Sequence, residues 1–75
     1  MILIERTDNK NSPLKTVDLA AAPHQGDKVV IDIDGVETIF KVIDVHYAEH
    51  LKTDVIVARL SSLADYNDDA GLLRA

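Results

Sequence analysis

His46, Glu49 and His50 are the first residues in this chain whose types and spacing suggest chemistry. The H-x-x-E-H pattern belongs to zinc hydrolases, in which two histidines on one helical face hold the metal and the glutamate serves as general base. That arrangement needs a helix. His46 instead ends the strand-like run VIDVHY, so the expected outcome is one strand-end histidine, one loop histidine and no catalytic centre. As metal candidates, His46 and His50 remain only as ligands of an adventitious surface ion. Asp65, Asn67 and Asp69 have the alternate spacing of a calcium loop, but Ala70 stands where that loop needs glycine. A solvated acidic tail is the expected outcome there.

Two further carboxylate groupings bear on acid–base chemistry. Asp32, Asp34 and Glu37 surround a dipeptide turn at a sheet margin, where no pocket would raise one carboxyl relative to another. Asp44 sits between Ile43 and Val45 in the most apolar stretch of the chain. A bulge there would turn it outward, and without one it would be a partly buried carboxylate paired with Lys41, Arg59 or His46. Gly26, Gly35 and Gly71 are isolated, so there is no phosphate-cradling loop, and Ser12, Ser61 and Ser62 lack the context of a nucleophile. No catalytic residue and no cofactor is expected.

The elements that must position these residues are mostly strands. Lys28 to Ile33 and Val36 to Tyr47 are β-branched runs flanking Asp34-Gly35, a pair that readily takes the positive φ of a tight hairpin. Val29, Ile31 and Ile33 share one face, with Lys28, Val30 and Asp32 on a wetter one. Alternation fails near Val42–Asp44, which predicts a bulge that switches the inward face. Ile2 to Arg6 and Asp54 to Leu60 read as further strands. Asp8 to Pro13 reads as a loop, and Leu14 to Ala22 as a short strand or extended segment ended by Pro23. His24 to Asp27 is a turn, and Ala48 to Thr53 a connecting loop. Ser61-Ser62 is positioned to cap a C-terminal helix, so residues 61–75 are expected to form a short docked helix or a tail. Phe40 and Tyr47 are expected in the core.

Composition limits the function classes. The chain has 75 residues, no cysteine and a formal net charge of −5. That length accommodates one domain, here 1–75, and the absence of cysteine excludes disulfides and thiolate metal sites. Thirteen acidic against eight basic residues disfavour phosphate-backbone binding. No apolar run is long enough to span a bilayer. The start MILIERT lacks a basic leader region, and together with the missing cysteine this sets a cytoplasmic expectation.

Pro23-His24-Gln25-Gly26-Asp27-Lys28-Val29-Val30-Ile31, then Gly35, then Phe40-Lys41-Val42-Ile43-Asp44-Val45 resembles the P-x-x-G-D-x-V-x-I … G-x-x-x-x-F-x-V-x-x-V cadence of small SH3-like barrels. Many short bacterial and phage-encoded proteins are similar. The resemblance implies a mainly β fold, a small antiparallel sheet curled into a partly open barrel, and a non-catalytic scaffold role. The preferred functional expectation is a protein-binding or assembly module that presents a sheet edge, a strand face or its C-terminal tail. Apolar residues on both strand faces (Val30 opposite Ile31, Val55 and Val57 opposite Ile56) call for cover, most simply from a second copy in a two-fold dimer. The alternative is a nucleic-acid-binding barrel gathering Lys28, Lys41, Arg59 and His46 on one face. A metal-dependent or acid–base enzyme using His46, Glu49 and His50 ranks third.

Overall fold

The computed structural model describes residues 1–19, 22–47 and 53–66, and the backbone of 73–74. The strands are β1 (Ile2–Thr7), β2 (Lys10–Thr16), β3 (Lys28–Ile33), β4 (Val36–His46), β5 (Asp54–Ser62) and the two-residue β6 (Leu73–Arg74). One 3-10 turn spans Leu63–Asp65, and there is no α-helix among the described residues. The strands form one sheet in the order β2-β1-β5-β4-β3-β6. Among the described residues no backbone pairing joins the two ends, so the sheet is open.

Each tight turn rests on residues that tolerate left-handed backbone. Asp34 and Gly35 have φ of 53° and 85°, and the Asp32 carboxylate accepts the Gly35 N–H at 2.8 Å. The turn brings Ile33 opposite Val36 and Val29 opposite Phe40, as the sequence predicts. Nothing lies within 4 Å of a side chain added at Gly35, so Gly35→Ala tests backbone strain alone. It is expected to cost about 1–2 kcal/mol, read as a shift in the urea midpoint at unchanged m-value.

The structure corrects several sequence expectations. Asp8 to Pro13 is not a loop. Asp8 and Asn9, with φ of 48° and 67°, make a second tight hairpin, and Lys10 to Thr16 form an edge strand that carries Pro13. Asp and Asn are the non-glycine residues that enter this region most readily. The sheet is mixed rather than antiparallel, because β1 runs parallel to β5 and β3 parallel to β6. Parallel partners are joined by long connections, which leave no local signature. Residues 67–72 and 75 of the expected C-terminal helix or tail lie outside the described residues, and Leu63–Asp65 form the 3-10 turn. Its N-cap residue, Ser62, makes no side-chain cap bond, and its hydroxyl donates instead to Asp65 Oδ2 at 2.8 Å.

The bulge predicted near Asp44 is present. Val42 pairs with Val57 and Asp44 with Ile56, leaving Ile43 as the extra residue and returning Val45 to the inner face opposite Val55. That face supplies the core, in which Leu3, Val29, Ile31, Phe40, Val42, Val55 and Val57 pack with Val17 and Leu19. The core is aliphatic around a single aromatic ring. Tyr47, expected inside, is 68% exposed, because it follows the last residue of β4.

Candidate interaction surface

Val30, Ile39 and Ile56 lie on the face opposite the main core, where Val30 pairs with Ile39 and Ile56 with Asp44. They are nevertheless buried, at 4%, 0% and 1% exposure. The wetter face assigned to Val30 is therefore covered at that point by the chain itself. This removes the motive for a dimer that would cover bare strand faces.

The candidate catalytic groups do not assemble into a site among the described residues. Asp44 is turned outward, and its Oδ2 lies 3.0 Å from His46 Nε2 with both side chains more than half exposed. Of the H-x-x-E-H motif only His46 is described; Glu49 and His50 lie outside the described residues, as do Asn67 and Asp69 of the calcium-like spacing. No grouping of three or more metal-binding side chains occurs among the described residues. Asp32, Asp34 and Glu37 stand exposed at the hairpin tip.

The Asp44–His46 contact has a measurable consequence. The hydrogen bond from the His46 ring, joined by the Val45 N–H, holds the Asp44 carboxyl below its ordinary 3.8. The folded state therefore binds this proton less readily than the unfolded chain. The resulting stabilisation is present above 3.8 and is lost as the pH falls through the lower folded value. In a carbon-detected NMR titration, His46→Ala is expected to move the Asp44 midpoint back up toward 3.8.

The cations named for a nucleic-acid face divide between the two sides of the sheet. Lys28 and Lys41 are cross-strand neighbours. Arg59 is on the core side, its guanidinium 5.4 Å from the Phe40 ring centre, where it donates to both Glu5 carboxylate oxygens at 3.2 Å. Glu5 thus neutralises it at the margin of the core.

The sheet margin at Asp32 is accessible. In a two-residue hairpin the flanking residues Ile33 and Val36 bond to each other, so alternate residues of β3 (Lys28, Val30, Asp32) turn their N–H and C=O away from β4. β6 pairs at Val29 and Val30, and Asp32 lies beyond it. The Asp32 carbonyl accepts a hydrogen bond from Lys15 Nζ, on β2 at the opposite end of the strand order, at 3.0 Å. The two margins thus face each other across an open groove of about 360 Å3 lined by Pro13, Leu14, Lys15, Asp32, Ile33 and Asp34. Leu14 and Ile33 also pack on the core, so the groove has an apolar floor. A second open groove, about 450 Å3, lies between the hairpin tip and the 3-10 turn, with Val36 and Leu63 in its lining.

Sequence reasoning did not find the first groove. Its two walls are 17 residues apart at the Lys15–Asp32 contact and meet only through tertiary structure. The one local clue is Pro13 next to Leu14-Lys15, a proline and a lysine of the kind that guard an edge strand. No protein-family model, curated protein or solved structure matches this chain. No helix among the described residues is long and apolar enough to cross a membrane.

Proposed function

We propose that this chain is a non-catalytic protein-binding module, of the assembly type, that recognises a protein partner through a sheet edge. The observation that carries this reading is the contrast between faces and margin. Both faces of the sheet are buried where their apolar residues are densest, whereas the outward carbonyl of Asp32 is met by a side chain rather than by a strand. Outward backbone groups and an apolar floor are what strand addition uses: main-chain bonds supply affinity and side-chain pockets supply selectivity. The SH3-like cadence of residues 23–45 supports the reading by fold analogy. In its finer form the domain is an SH3-like barrel left partly open at the β2/β3 seam, working in the cytoplasm of a bacterium or as a phage-encoded protein. A second copy as the partner is the lesser form, since the chain covers its own strand faces.

The test is a photo-crosslinking amino acid placed at Thr16, on the margin, and separately at Lys41, on a face, in cells of the source organism. The expected result is a small set of defined protein adducts from Thr16 and few from Lys41. Adducts only from Lys41, adducts to nucleic acid, or none from either position would contradict the reading.

A further inference from the structure

We infer that the β2/β3 seam accepts a basic, extended peptide segment of a partner protein, which displaces Lys15 and adds to β3 beside Asp32. This inference rests on the edge-binding reading above and specifies its ligand.

Three observations select this occupant. First, the edge of β3 already accepts a strand, because β6 pairs in parallel with Val29 and Val30. The two residues of that strand are Leu73 and Arg74, one apolar and one basic. Second, Asp32 directs its backbone to the same margin one step further on, and its carbonyl is occupied by a long, flexible side chain. The Lys15 ammonium is exposed, so it returns to water at little cost when a peptide N–H takes its place. Third, the seam carries the charge that a basic segment needs. Asp32 and Asp34 line it with Lys15 as the single cation, and the whole chain has a net charge of −5. An acidic segment would gain Lys15 but meet both carboxylates. Residues alternating along the added strand would place apolar groups over Leu14 and Ile33 and basic groups toward Asp34.

The complementary edge of β2 makes the seam directional. Pro13 pairs with Ile4 and has no N–H to offer. Main-chain pairing is therefore available on the β3 side at Asp32, beyond the stretch that β6 covers, and the β2 side contributes mainly apolar contact. For the second groove, at Val36 and Leu63, nothing in the structure specifies what would cover it.

The experiment uses the full chain, labelled with nitrogen-15, and three blocked seven-residue probe peptides. One alternates Leu and Arg, one alternates Leu and Glu, and one is the Leu/Arg peptide with alternate amides N-methylated. The Leu/Arg peptide is expected to shift the amides of Asp32, Ile33, Leu14 and Lys15. N-methylation, which removes strand pairing and keeps the charge, is expected to weaken binding by about tenfold or more. Lys15→Met is expected to tighten binding by about threefold, and Asp34→Asn, which keeps a residue suited to the turn, to weaken it by about threefold.

Absence of shifts at millimolar peptide would overturn the inference. So would equal binding of the N-methylated or Leu/Glu peptide, or shifts confined to another surface. Peptide-free protein that sediments as a dimer with the seam amides at its interface would assign the seam to a second copy and overturn it as well. If the peptides fail while Thr16 still yields protein crosslinks, this inference alone falls. If both fail, the edge-binding reading falls with it.

Discussion

Phe40→Ala is expected to lower stability by about 3–5 kcal/mol. The ring is fully buried and is the largest enclosed side chain among the described residues. It is the single aromatic in an otherwise aliphatic core, so neighbouring Val and Ile side chains are too short to refill the space. Its loss also removes the surface beneath the Arg59 guanidinium. A 75-residue domain has about 4–11 kcal/mol of total stability, so the substitution removes a large fraction of it. The melting temperature should fall by on the order of 20 °C, measured by calorimetry or far-ultraviolet circular dichroism. Phe40→Leu, which conserves most of the volume, should cost about 1.5 kcal/mol or less. A loss below about 1 kcal/mol for Phe40→Ala would mean that the ring does not sit where the core is densest.

The second large effect concerns association. β2 is an edge strand whose residues are nearly all exposed, and such a strand is a template for pairing with another copy. Pro13 interrupts its row of outward donors, and Lys10 and Lys15 add charge along it. Pro13→Val restores the missing N–H and raises β propensity at once. Sedimentation velocity should then show concentration-dependent oligomers under conditions where the parent chain remains a single species. Adding Lys15→Val should extend this to visible aggregation. The fold itself should persist, because the proline nitrogen makes no bond to β1. If Pro13→Val sediments like the parent, the edge is protected by something other than the proline.

These effects also show which features could be read from the sequence. The Asp34-Gly35 hairpin and the bulge at Asp44 follow from local rules: positive φ at two adjacent turn residues, and a hydrophobic alternation that breaks in one place. Both are found where the pattern puts them. The Asp8-Asn9 hairpin obeys the same rule but leads into KNSPLKT, a polar strand without alternation whose proline argues against strand. Only pairing with β1 makes it one. The parallel contact between β1 and β5 has no local trace at all, since their partners lie 52 residues apart, as for Ile2 and Asp54.

The candidate surface was hidden for the same reason. Leu14-Lys15 and Asp32-Ile33 are unremarkable separately, and the groove exists only because the fold brings two margins to one place. The residues that looked most chemical in sequence, His46 and Asp44, are held at an exposed bulge, where they bear on one carboxyl and line neither of the two grooves. The burial of Val30, Ile39 and Ile56 could not be read from alternation, which registers which side a residue faces and not what covers it.

Native-state amide hydrogen exchange tests the central claim most directly, because it asks whether the margin at Asp32 is open. The account predicts that the Asp32 amide exchanges quickly while Val29 and Ile31, bonded to β4, are strongly protected. On β2 the amides of Asn11 and Thr16 should exchange quickly, and those of Ser12 and Lys15 slowly. An Asp32 amide as protected as that of Ile31 would mean that a strand already covers this edge, and the account of an open, strand-accepting seam would be wrong.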